Sequence, residues 1–117
     1  MSTASMSGHY RQRLEHMIQK ALSDLLLNEV RDPRVEGVVF TSVEMNRDLS
    51  VAKVFYMPPV GEDPYEVTRG LHKSAGFLRG AVGRALGLRE APEIRFQMDE
   101  SLDRVNRLEE LLDEEGE

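Results

Sequence analysis

The sequence predicts a small α+β domain, with one three-stranded mixed sheet and helices packed on one of its faces. Three observations carry this prediction. Residues 38–45 and 49–56 are rich in branched and aromatic side chains and are separated by Asn46-Arg47-Asp48, which reads as a hairpin. Apolar residues at helical spacing flank that hairpin on both sides. Finally, Ile94, Phe96 and Met98 alternate with Arg95 and Gln97, the signature of a half-buried strand. A chain of 117 residues has room for one such domain.

Residues 1–9 are small and polar and are expected to be disordered, with Ser7 as the N-cap of the first helix. Leu14, Met17, Ile18, Ala21, Leu22 and Leu25 then recur at three and four residues, marking that helix as amphipathic. Asp32-Pro33 is expected to end it, because the residue before proline is pushed out of the α region. After the hairpin, residues 57–64 hold three prolines and a glycine and form a loop. Helical periodicity resumes at Pro64 and runs through Leu86, with Ser74-Ala75-Gly76 as the expected break between two helices. The order is α-β-β-α-α-β. Residues 10–100 form the domain, and residues 101–117 form a short helix followed by an acidic tail.

The net charge of −6 is unevenly placed. Nine of the 21 acidic residues lie from Asp99 onward, against two bases, leaving 13 Lys and Arg against 12 acids in residues 1–98. Residues 67–89 contain no acid and five bases, Arg69, Lys73, Arg79, Arg84 and Arg89. Phosphate responds to that local field and not to the total. Cysteine is absent, which excludes disulfides and thiolate metal sites. No apolar run approaches the roughly 18 residues of a membrane span, and MSTASMSGH has no apolar signal core. A cytoplasmic protein is the expectation. His9, His16 and His72 are scattered, and neither a nucleophile elbow nor a Walker loop is present, so an enzyme is not expected and no cofactor is implied.

Gly76, Gly80, Gly83 and Gly87 recur at helical spacing and fall within about 40° of one line. Phe77, Leu78, Ala81, Val82 and Ala85 lie on the other side, which is expected to face the sheet. Glycine inside a helix costs roughly 1 kcal/mol relative to alanine, so Gly80 and Gly83 ask for a reason. One reason is a bare ridge admitting a large partner, with Arg79 and Arg84 on its flanks for phosphates. The other is close helix packing, with Gly87 as a C-cap. The flanking arginines favour the partner surface. Gly80-Ala81-Val82-Gly83 also matches G-x-x-G, the backbone clamp of KH domains, but its apolar centre fits a continuing helix better.

Several stretches occur in a familiar order. They are Asp32-Pro33-Arg34, Val43-Glu44-Met45, Arg47-Asp48-Leu49, Ala52-Lys53-Val54, Ser74-Ala75-Gly76-Phe77-Leu78-Arg79 and Leu88-Arg89, then Pro92-Glu93-Ile94-Arg95-Phe96. With them the chain resembles the bacterial ribosome-binding factor A family from about residue 10 to residue 112. The resemblance implies a type II KH-like fold, in which an Ala-x-Gly kink between two helices replaces the G-x-x-G loop. Ser74, Ala75 and Gly76 match that kink, with serine in place of the first alanine. It further implies an assembly factor that binds the immature small (30S) ribosomal subunit through 16S rRNA. Late maturation, including processing of the 16S 5′ end, would be its role, notably in the cold, and it would act as a monomer. The phosphate contacts implied are Lys73, Arg79, Arg84 and Arg89; Ser74, Ala75 and Gly76 join them at the kink and Gly80 and Gly83 on the glycine ridge, with Arg11, Arg13, Lys20, Arg31, Arg34 and Lys53 as weaker candidates. The competing reading is a protein–protein adaptor that uses the glycine-lined face. Phosphate binding weakens steeply with salt, whereas glycine-mediated packing does not.

Overall fold

The computed structural model describes residues 3–101, with side chains from His9 onward; the helix expected at 101–112, beyond its first residue, and the acidic tail lie outside the described residues. Helix α1 runs Thr3–Asn28. It starts inside the segment expected to be disordered, and Ser7 lies within it instead of capping it. Leu14, Ile18, Leu22 and Leu26 follow one another at four-residue spacing, and all are buried. Met17, expected among them, is 48% exposed.

The helix stops before Asp32-Pro33. The amides of Glu29 and Val30 both donate to the Leu25 carbonyl, at 2.8 and 3.2 Å, and close the last turn. Asp32 instead caps a separate 3-10 turn, Pro33–Val35. Its Oδ1 accepts from the Arg34 amide and from Arg34 Nε, both at 3.0 Å, while Oδ2 accepts from Arg34 Nη2 at 2.7 Å. These bonds hold the Asp32 carboxyl down at about 2, well below the usual carboxylate range. A carboxyl that is depressed on folding stabilises the fold above its unfolded value, and the contribution disappears as pH falls through the folded value. The Asp32→Asn variant should therefore unfold at a lower temperature than the parent at neutral pH. The gap should close on acidification from about pH 4 to the folded value near 2, and thermal melts across that range check it.

Strands β1 (Val39–Met45) and β2 (Val51–Met57) form the hairpin, with a bulge at Thr41. Its turn is longer than the three residues expected. Leu49 adopts φ 62, a left-handed conformation unusual for a residue with a branched side chain. Side chains compensate: Asn46 Oδ1 accepts from the Val51 amide at 2.9 Å, and Asp48 Oδ1 accepts from the Ser50 amide at 3.1 Å. Strand β1 is an edge strand, and α1 protects it. Glu15 Oε2 accepts from the Met45 amide at 2.7 Å, and Gln19 Nε2 donates to the Phe40 carbonyl at 3.0 Å.

Helix α2 (Pro64–Leu86) starts at the cap Asp63, whose Oδ1 accepts from the Tyr65 amide at 3.0 Å. It ends at Gly87, which has the left-handed φ of 64 that glycine adopts without strain. The break expected at Ser74-Ala75-Gly76 does not occur: one unbroken helix stands where two were predicted. Ser74 Oγ donates to the Gly70 carbonyl at 3.0 Å, so it bonds back into the preceding turn instead of capping a second helix. Strand β3 (Glu93–Met98) then pairs parallel to β2, giving the sheet order β1-β2-β3. Tyr56 donates its hydroxyl proton to Thr68 Oγ1 at 2.7 Å, and Thr68 donates to the Pro64 carbonyl at 2.9 Å, which ties the sheet to α2. The fold class is as expected: an α+β, type II KH-like domain, with Ile18, Leu22, Leu71, Leu78, Val54 and Val82 at the centre of one core.

Candidate nucleic-acid interface

Leu71, Leu78 and Val82 orient α2 by burying one side completely. At 100° per residue, the opposite side brings Arg69, Lys73, Gly76, Phe77, Gly80 and Arg84 within about 100° of arc. All are exposed except Gly80, which is half-buried. From Arg69 to Arg84 the stripe is about 22 Å long at 1.5 Å per residue. Arg69 pairs with Glu66 at 3.7 Å, whereas Lys73 and Arg84 enter no ion pair among the described residues. Lys73 is close enough to Asp32 to contribute, after Arg34, to lowering that carboxyl.

The expected ridge of four glycines separates into different roles. A Cβ added at Gly76 would meet nothing within 4 Å, and one at Gly80 would meet only the Arg84 guanidinium, at 3.3 Å. These two leave the helix backbone open to a partner. Gly83 does not. It is buried, and an added Cβ would sit 3.0 Å from the Ala91 Cβ, so its small size serves packing within the chain. The Gly83 carbonyl accepts from the Leu88 amide at 2.9 Å as part of the helix-ending motif with Gly87.

The predicted contacts divide in the same way. Lys73, Gly76, Gly80 and Arg84 share the stripe, whereas Ser74 and Ala75 are half-buried on the side of α2 turned towards Leu78 and Val82, and Arg89 is exposed in the loop beyond α2. Arg79 lies on the flank, where its Nε and Nη2 donate to the Ala91 carbonyl at 3.2 and 3.1 Å and brace the loop before β3. Arg34 is engaged by Asp32, with Glu66 a further 3.9 Å partner. Arg31 is exposed beside the apolar groove at the end of α1. Lys53 points from the sheet face opposite α2, away from the stripe.

Phe77 and Ala85, expected against the sheet, are exposed, Phe77 at 48%. Phe77 is therefore a ring lying among cations, and it was missing from the predicted contacts. The signal was available: one position before buried Leu78, it stands 100° away on the helix. Aromatic and cationic side chains together suit nucleic acid, because phosphates take the charges and unpaired bases stack on the ring.

Comparison with known proteins gives a consistent result. The family model described as ribosome-binding factor A matches residues 10–112. The ribosome-binding factor A of Desulforamulus reducens is 43% identical over 109 residues, covering 92% of this chain and 90% of the relative. That of Methylobacillus flagellatus is 47% identical over 103 residues, covering 87% and 81%. Among solved structures, a solution structure of a Thermotoga maritima protein described as a candidate ribosome-binding factor A aligns with a TM-score of 0.66 at 36% identity, covering 76% of this chain and 86% of that one. A homology model of the Thermus thermophilus ribosome-binding factor A, fitted into a map of a 30S complex with that factor, aligns with a TM-score of 0.65 at 22% identity, covering 77% and 96%, a likeness of fold. On the ordered match along residues 10–112 and the shared fold, the chain belongs to the ribosome-binding factor A family.

Proposed function

We propose that this ribosome-binding factor binds the immature small ribosomal subunit by laying the exposed stripe of α2 against 16S rRNA. The observation that carries this reading is the exposed stripe of Lys73, Arg84 and Phe77, drawn from a run of sequence without acids, around the open backbone at Gly76 and Gly80. The Thermus thermophilus relative, fitted as a 30S complex, supports the choice of target. The factor acts as a cytoplasmic monomer, without cofactor or catalysis. Its binding energy favours one arrangement of the rRNA over another, since a ligand shifts an equilibrium only by its differential affinity. Late maturation, including 5′-end processing of 16S rRNA, results from that bias. In the cold misfolded RNA escapes slowly, and there the bias matters most.

Three or four phosphate contacts should give a slope of about −2 to −4 in log affinity against log salt. Co-sedimentation with immature small subunits across a salt series measures it. The adaptor reading predicts a flat response. It is also disfavoured because Gly83, which it needs as a contact, is covered by Ala91.

A further inference from the structure

Phe77 is not the one large apolar side chain that the helices leave to water. On α1, Tyr10 is 49% exposed and Met17 48%, the same fraction as Phe77, although the apolar side of that helix is already filled by Leu14, Ile18, Leu22 and Leu26. Singly exposed apolar side chains are ordinary, whereas a group of them marks a binding surface. Their relative placement therefore decides what they mean.

Helices α1 and α2 pack on each other and run antiparallel across the sheet. At one end of the sheet, Glu15 holds the Met45 amide, and Gly83 lies against Ala91, just before the strand whose Ile94 is level with Met45 through Ala52. At the other end, Gln19 donates to the Phe40 carbonyl, and Thr68 is bonded to Tyr56, the register partner of Phe40. Met17 lies between these two levels on α1, and Phe77 lies between them on α2. Tyr10 is about 10 Å further along α1, towards the end of α2 that carries Arg84.

The flanks follow from the same bonds. Glu15 and Gln19 turn one flank of α1 to the edge strand, and Met17 and Tyr10 stand about 140–180° from both, on the flank towards α2. On α2, Thr68 and Arg79 turn towards Tyr56 and Ala91, and Phe77 stands about 160–180° from both. It is only about 20° from Gly70, which packs on the turn that follows α1. Tyr10, Met17 and Phe77 thus line the outer seam between the two helices. Cations border it: Lys20 stands about 60° from Met17, and Lys73 and Arg84 within about 40° of Phe77. All three are exposed and enter no ion pair among the described residues. The acids Asp24 and Glu66 lie towards the other end of the seam, near the start of α2.

A duplex offers phosphates but keeps its base faces stacked inside, so exposed rings gain nothing from it. Unpaired nucleotides offer phosphates and base faces together. We propose that the seam between α1 and α2 is a site for unpaired nucleotides of the rRNA, with one base stacked on Tyr10 and another on Phe77. Met17 fills the space between the rings, and Lys20, Lys73 and Arg84 take the phosphates. The site rests on the stripe of α2 as the RNA face and extends that face to a second helix.

Equilibrium binding of the full-length protein to a short unpaired oligoribonucleotide, to a duplex of the same length and to immature small subunits tests the site. The parent should bind the unpaired RNA at least about ten-fold more tightly than the duplex. Tyr10→Ala should lose about ten-fold on unpaired RNA and on subunits, the effect of removing one stacking ring. Its salt slope should match that of the parent, because no charge is removed. Tyr10→Phe, which keeps the ring, should bind as the parent does. Preference for the duplex, unchanged binding of Tyr10→Ala to unpaired RNA, or an equal loss in Tyr10→Phe would each overturn the proposal. A loss confined to subunits would overturn it too, assigning the seam to a protein partner. If Lys73→Glu with Arg84→Glu weakens subunit binding and Tyr10→Ala does not, the stripe stands and the seam fails. If neither weakens it, the reading beneath the proposal fails as well.

Discussion

Reversing Lys73 and Arg84 together to Glu should lower affinity for immature small subunits by about 100-fold, roughly ten-fold for each charge, with the steepness of the salt response reduced by about two. Both side chains are exposed and enter no ion pair among the described residues, so the thermal midpoint should stay within a degree or two. Equilibrium binding to purified subunits, with melts run in parallel, measures both quantities. Arg79 is a poorer choice despite its place in the acid-free run. Its guanidinium braces the Ala91 carbonyl, and reversing it would disturb the loop before β3 as well as any RNA contact.

Replacing Gly70 by Leu should cost about 3 kcal/mol or more of folding stability and lower the melting midpoint by about 10 °C. A Cβ there would lie 2.8 Å from Val35 Cγ1, 3.1 Å from Arg34 Cβ and 3.4 Å from Asp32 Oδ2. Val35 is only 1% exposed and has nowhere to retreat, so the 3-10 turn would be forced off α2. Alanine should also destabilise, but less, because its better helix propensity returns up to about 1 kcal/mol. Urea unfolding of the two variants gives the comparison. A Gly70→Leu protein as stable as the parent would contradict the packing described for this contact.

Most of the fold was legible in the sequence because its signals are local. The strand alternations, the Pro64 start and the Gly87 stop of α2 each depend on a few neighbouring residues, and all three appear as read. The errors arise where tertiary contact overrides local preference. Ser74-Ala75-Gly76 looked like a break because small residues permit one, yet the Ser74 hydroxyl finds the Gly70 carbonyl and the helix continues. Asp32 looked like a helix end; its carboxylate instead organises a separate turn through Arg34, an interaction that periodicity does not reveal. The candidate site was legible as a charge pattern and less so as a surface. The acid-free run located α2, but the face it presents is set by Leu71, Leu78 and Val82, and that orientation moved Gly83 inward and Phe77 outward. Lys53, by contrast, was legible as facing away from α2, since strand alternation puts it on the face opposite Ala52, Val54 and Tyr56.

The central claim is that the exposed stripe of α2 is the face laid against 16S rRNA. It is tested most directly by a photoreactive phenylalanine analogue placed at position 77, with a second protein carrying it at position 53 on the open sheet face. Each is irradiated while bound to immature small subunits. The account predicts crosslinks to 16S rRNA from position 77 and none from position 53. Crosslinks to rRNA from position 53 with none from position 77 would contradict it.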